Sequence, residues 1–359
     1  MNRRWPATVK RLEMTAPARL QFLSPAWFTP VMGLAGLALA WFRAAPLLGV
    51  PAAWVAQGVG FVASVLFLVL FTQSVRRVIQ FPQAVVADLT HPVRHAFVAA
   101  IPVGLLLVTA FLGQVFGQPA WLSGLWLMAA FSQLLVTWWV LSKWLQPQPD
   151  EAGDGISMWS GITPLLFIPV VGNVVAPLAG IPLGYADWSV MQAGIGLFFW
   201  PLVLLLVLVR RAAHSSLPIP LLPTWCIAVA PPSVLGLVAC DFQAPLWVGQ
   251  MAWAMGFFCL LWSAPVLRRT WQGGFHMGFW ALSFPLAALT GLSFVVGEGM
   301  VTATTSGTVF PLMMQGVAVV LLVLTTAVTL TLCVLTVSGL LAGRLLVAGD
   351  LPTVQAVQA

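Results

Sequence analysis

Long apolar runs separated by short polar breaks cover almost the whole chain. Ten are read at about 26–43, 52–75, 92–116, 120–142, 161–180, 188–209, 221–240, 246–267, 275–297 and 309–342. A bilayer core takes about 20 apolar residues per helical span, and barrel strands need only about 9–11. Lipid offers no partner to an unpaired backbone N–H or C=O, so spans of this length are helices. The pattern predicts an all-α membrane protein with ten transmembrane helices and short connections. The last run is longer than one span needs, so it tilts or continues past the lipid. One membrane domain is expected at 25–345, with a segment at 1–24 before it and a tail at 346–359 after it. No short apolar core with a small-residue cleavage site follows the basic first residues, so no cleaved signal peptide is expected.

Odd and even runs differ. Proline lies in the apolar body of each odd run: Pro30, Pro102, Pro169, the pair Pro231 and Pro232, and Pro285. A glycine follows each within six residues, at Gly33, Gly104, Gly172, Gly236 and Gly291. The prolines are spaced by 72, 67, 62 and 54 residues, so the repeated unit is one helical hairpin used five times. Even runs are more continuous, with Pro201 and Pro265 as exceptions. Proline removes a helical hydrogen bond and bends the helix. Broken backbone at membrane depth survives only where it is buried or lines a cavity. The odd helices are therefore expected inside, around a path, and the even helices outside. Carbonyls freed by the prolines would repel an anion, so they are expected to point away from the path or to bond neighbouring helices.

Composition agrees: 60% of residues are hydrophobic, the mean hydropathy is +0.98 and only 7% are charged, against about a quarter in soluble domains. Ten spans put fourteen of the fifteen Lys and Arg on one side, with Arg43 the exception. Basic residues accumulate on the cytoplasmic side, which predicts both termini inside.

The spans carry no acidic residue in their bodies: Asp88, Asp150, Glu151 and Asp154 fall in cytoplasmic loops, and Asp187, Asp241 and Glu298 at the opposite ends. His91, His95, His214 and His276 all fall at the cytoplasmic edge. Intramembrane charge is kept for proton relays and ion coupling, so a proton-driven pump is disfavoured. An intramembrane hydrolase is disfavoured too, because no catalytic or metal-ligand cluster can be assembled. Cys226, Cys240, Cys259 and Cys333 show no paired spacing and read as small packing residues. No cofactor, metal or nucleic-acid partner is implied; the partners expected are the lipid bilayer and small inorganic or organic anions.

What is left is a neutral tube with a basic inner mouth. If the odd helices line it, their five positive dipole ends face the cytoplasm. Arg94, one turn into the third run, would add a full charge there, and Arg210, Arg211, Arg268 and Arg269 would concentrate anions nearby. These residues equally satisfy the ordinary inside-positive asymmetry. Phe284, immediately before Pro285, stands where an aromatic ring in a constriction can block or dewet a pore; lipid or protein packing is its alternative role.

Four motifs then point to one family: HPVRHAF at 91–97, PVVGNVV at 169–175, LPTWCIAVAPPS at 222–233 and WALSFPLAA at 280–288. In this order on ten spans, the chain from Phe28 to about Gly343 resembles the family of bacterial tellurite-resistance channels of the TehA type and plant slow anion channels, which includes fungal dicarboxylate and sulfite transporters. The resemblance implies five helical hairpins in a quasi-five-fold ring around a central pore, assembled as a homotrimer. It implies passive conduction of small anions such as chloride and nitrate across a bacterial inner membrane. It also makes Phe284 the ring that occludes the pore. Leu282 departs from the aromatic that bacterial relatives often carry at that place. A carrier exporting C4-dicarboxylate, sulfite or tellurite on the same scaffold is the alternative, and a membrane subunit without transport activity a more distant one.

Overall fold

The computed structural model describes residues 19–145, 161–213, 217–270, 274–303 and 309–347, without the side chains of 267–269. Most of the two expected terminal segments, the acidic residues at 150, 151 and 154, His214 and the Arg268 and Arg269 side chains lie outside this range. Most of the described residues are helical, with no strand among them.

Each odd run is built in two parts, a 3-10 segment followed by an α-helix. Pro25–Phe28 leads into α1 (Thr29–Leu48), which turns into α2 (Val50–Gln80) and a short α3 (Pro82–Thr90). Arg94–Ala99 leads into α4 (Ala100–Phe116), followed by α5 (Ala120–Ser142). Pro164–Leu166 leads into α6 (Phe167–Val175) and α7 (Pro177–Gly180), followed by α8 (Ala186–Ala213). Ile219–Val229 leads into α9 (Ala230–Asp241), followed by α10 (Leu246–Thr270). Met277–Leu282 leads into α11 (Ser283–Ala303), followed by α12 (Val309–Leu341).

The repeated prolines explain the change of winding. Pro30, Pro102, Pro169, Pro231 and Pro285 all stand in the first turn of their α-helices, directly after the 3-10 segment. A first-turn proline forfeits no intrahelical bond of its own. It also disfavours α geometry in the residue before it and leaves the carbonyls behind it without their α-helical donor. Tighter i to i+3 winding carries the chain up to that point. Hydroxyls help at the junction: Thr29 Oγ1 donates to the Ala26 carbonyl and Ser283 Oγ to the Trp280 carbonyl, both at 2.7 Å. The bend expected of each proline thus takes the form of a junction between two helix types.

Among the described residues nine helices are long and apolar enough to cross a membrane, and the tenth expected span, 161–180, is not one of them. Its apolar run is Pro164–Gly180, about 25 Å at the α-helical rise. Pro177 cannot donate to the Asn173 carbonyl, and the helix breaks before it. This segment is nearly all buried, every residue of α6 included, so protein rather than lipid surrounds it and its length is not set by the bilayer.

Burial separates two layers. In the apolar windows of the other four odd helices 56% to 89% of residues are buried, against 22% to 33% in the five even ones. Each odd helix packs against the next in order, α1 on α4, α4 on α6, α6 on α9 and α9 on α11, and α11 comes back to α1. Each even helix lies over the seam between two odd ones: α2 over α1 and α4, α5 over α4 and α6, α8 over α6 and α9, α10 over α9 and α11, and α12 over α11 and α1. Leu68, Trp138, Phe198, Phe258 and Val323 show the outward apolar faces of those even helices. The hairpin turns repeat as well: Gly49, Gly117 and Gly184 hold positive φ, and Gln243 takes the corresponding place in the fourth at φ 58°.

Polar groups of the inner layer bond outward. Trp41 Nε1 donates to Thr326 Oγ1 at 3.1 Å, Thr290 pairs with Thr325 at 2.8 Å and Trp280 Nε1 donates to Thr336 Oγ1 at 2.9 Å, all reaching α12. Trp253 Nε1 of α10 donates to Ser293 Oγ at 2.8 Å. On α5, Gln133 Nε2 and Thr137 Oγ1 donate to the Pro169 carbonyl at 2.8 and 2.6 Å. Asn173 Nδ2 then donates to Thr137 Oγ1 at 2.8 Å, and Gln192 Nε2 of α8 to Asn173 Oδ1 at 3.2 Å. Hydrogen bonds of this kind hold membrane helices together where hydrophobicity does not distinguish protein from lipid.

Candidate functional site

Two cavities lie among the inner helices. The smaller, about 40 Å³, is lined from the 3-10 side by residues of all five odd runs, including Met32, Phe97, Ile168, Ile227 and Met277. The larger, about 120 Å³, lies toward the helix C-termini and again takes residues from all five, among them Leu39, Leu107, Leu178, Leu237 and Ala287. Phe284 is the one residue that lines both. It is buried, 6% exposed, in the first turn of α11.

Local structure positions that ring. Pro285 follows it in the same first turn and itself lines the smaller cavity. Across from it, a Cβ added to Gly36 would stand 3.0 Å from Phe284 Cδ2 and 3.2 Å from Ala287 Cβ. Gly33, one turn earlier, leaves room for Ser283 in the same way. The glycines after the first repeated proline thus let α1 approach α11 at the level of the ring. Pro30, Pro102, Pro169 and Pro231 are buried at the equivalent junctions and do not line either cavity.

Arg94 is placed differently from Phe284. It opens the second 3-10 segment, outside both cavities, and its Nη1 lies 2.9 Å from Asp88 Oδ1 with the side chain 26% exposed. Asp88, on α3, is buried and also accepts from Arg77 Nη2 at 2.7 Å. Arg77 further donates to the carbonyls of Gln21 and Ala84. Two guanidinium groups share one carboxylate, so the cluster keeps a net positive charge. His91 Nδ1 accepts from the backbone N–H groups of Val93 and Arg94 at 3.1 and 3.2 Å, which shapes the loop before the segment. Burial, then the charges of Arg94 and His95, lower His91 to a pKa of about 4, and burial lowers His276 to about 4. Both imidazoles are neutral at pH 7.

The sequence reading passed over two residues of this site. Arg43 and Gln114 are the polar side chains that line the larger cavity. Arg43 is held by Asp241, at 3.1 and 3.2 Å from Nη2 to its two oxygens. Its signal was present, as the one basic residue out of place in the charge distribution. Among the described residues no group of His, Cys, Asp or Glu is arranged to hold a metal ion.

The multi-pass helical fold agrees with what comparison with known proteins finds. The model of the voltage-dependent anion channel (SLAC1) family matches residues 23–337. The chain is 28% identical over 316 residues to the tellurite resistance protein TehA homolog of Haemophilus influenzae, covering 86% of this chain and 91% of that protein. It is 24% identical over 289 residues to the S-type anion channel SLAH3 of Arabidopsis thaliana, covering 79% of this chain and 42% of that protein. The sulfite efflux pump SSU1 of Arthroderma otae is 23% identical over 305 residues, covering 73% of this chain and 79% of that protein. A match of this extent, on a multi-pass helical membrane protein, means that the chain belongs to the voltage-dependent anion channel (SLAC1) family.

Proposed function

We propose that the protein is a passive channel for small anions such as chloride or nitrate, with its path along the axis of the inner helices and Phe284 as the closed gate. The observation that carries this reading is that Phe284 alone lines both cavities, so that moving one ring joins them. Apolar walls exclude water from a narrow constriction, so the ring closes the path without filling its full length. The run 161–180 counts as the tenth span here. The ten helices form five hairpins around the pore, a homotrimer carries one pore per protomer, and the protein sits in a bacterial inner membrane with both termini cytoplasmic. The channel domain is 25–345, between a cytoplasmic N-terminal segment 1–24 and a cytoplasmic tail 346–359.

Anion preference rests on electrostatics at the inner mouth. Five helix N-termini point there, and the Arg77, Asp88 and Arg94 cluster adds one net positive charge. Arg94, the more exposed of the two arginines, supplies the steering. The Trp41, Trp280, Thr290 and Ser293 side chains of the inner helices meet the outer helices, and among the described residues no acidic side chain lines either cavity.

A second reading is a carrier or exporter for sulfite, tellurite or C4-dicarboxylate. It is favoured by the names of two relatives, a tellurite resistance protein and a sulfite efflux pump. Recordings in planar bilayers separate the two readings. Unitary current steps carried by chloride or nitrate support the channel, and slow saturable exchange without steps supports the carrier.

A further inference from the structure

We infer that Arg43, held from behind by Asp241, forms a binding site for small monovalent anions in the cavity on the far side of Phe284. This rests on the reading of the interior as an anion path, and adds a site to it.

The larger cavity is apolar except for Arg43 and Gln114, and Arg43 is the one cation lining either cavity among the described residues. Asp241 does not line that cavity, although it is close enough to bind Arg43 through both carboxylate oxygens. A cation therefore faces the space and its counter-charge stands outside it. Only Nη2 of Arg43 is engaged by Asp241, which leaves the Nε and Nη1 donors of the guanidinium. The Arg43 side chain is 35% exposed and that of Asp241 20%, so neither is sealed from an incoming ion.

The field at this end makes such a residue necessary for an anion path. Helix C-termini carry partial negative charge, and the C-terminal halves of α1, α4, α9 and α11 all extend toward this side from the level of Phe284. Asp187, Asp241 and Glu298 belong to the same side, whose one basic residue is Arg43. Without Arg43 an anion that had passed the gate would meet the negative ends of the inner helices with no cation on the cavity wall. A cavity of about 120 Å³ holds roughly four waters at about 30 Å³ each. That suits a halide or nitrate that keeps part of its hydration. Asp241 sets the strength of the site by competing with the bound anion for the guanidinium, and a site that binds weakly also releases, as conduction requires.

Two measurements on the full chain test this. In the Phe284→Ala background, the nitrate concentration that half-saturates the current should rise about threefold to fivefold with Arg43→Gln, and fall with Asp241→Asn. Arg43→Lys should fall between wild type and Arg43→Gln, because it keeps the charge and loses the fork. Separately, crystals of the wild-type chain soaked in sodium bromide should show anomalous density within about 4 Å of the guanidinium, absent in Arg43→Gln. Bromide at Arg43 without any current in Phe284→Ala would keep the site and remove the conduction pathway. An unchanged half-saturation in a conducting Arg43→Gln variant, or a cavity free of bromide in the wild type, would overturn the inference.

Discussion

Phe284 packs its ring against the backbone of Gly36, so closely that a Cβ at position 36 would stand 3.0 Å from the ring's Cδ2. Phe284, on the last of the inner helices, is thereby fitted to a vacancy on the first, the two helices that complete the sequence of inner contacts. Substituting Gly36 with valine should force the ring to shift and lower the melting temperature in detergent, by the about 1–3 kcal/mol that overpacking costs. In the Phe284→Ala background most of that loss should disappear, since the added methyl groups then have space. Equal losses in both backgrounds would show that the two residues are not coupled.

Asp88 holds two arginines in a buried setting, and Arg77 is the more deeply placed at 6% side-chain exposure. Removing the carboxylate strands a buried cation, a change that costs about 3–5 kcal/mol when a buried pair is broken. Asp88→Asn should therefore destabilise the fold strongly. Arg94→Gln should destabilise it far less, because its pair is part-exposed, and should lower the preference for anions over cations. Reversal potentials in asymmetric salt measure the second effect, and no shift would remove Arg94 from selectivity.

His91 and His276 are both lowered from 6.5 to about 4 in the folded protein. Between those values the unfolded chain takes up protons that the folded chain refuses. Their contribution to stability is complete above pH 6.5 and falls as the pH drops toward 4. The melting temperature should accordingly be lower at pH 5 than at pH 7.5, with a smaller difference in His276→Gln. A melting temperature independent of pH across that interval would contradict the burial of these rings.

Much of this architecture was legible in the order of residues. Alternating prolines gave the difference between buried and lipid-facing helices, because breaking a helical ladder is tolerable only away from lipid. The form of the break was not legible: a proline position does not show that the preceding turns wind as 3-10 helix. The run 161–180 was read as a span of full bilayer length, and its apolar helix is shorter, because hydropathy does not tell lipid from protein as surroundings. The pairing of Arg94 with Asp88 was not foreseen because Asp88 lies before a helix break, where sequence distance does not reveal a contact. Arg43 needed the three-dimensional cavity to acquire meaning.

The current through Phe284→Ala compared with wild type, recorded in planar bilayers at equal protein density with chloride and then nitrate, tests the central claim most directly. Joining the two cavities should raise the anion conductance well above wild type. Unchanged current in a Phe284→Ala protein that is folded and membrane-inserted would contradict the assignment of the gate.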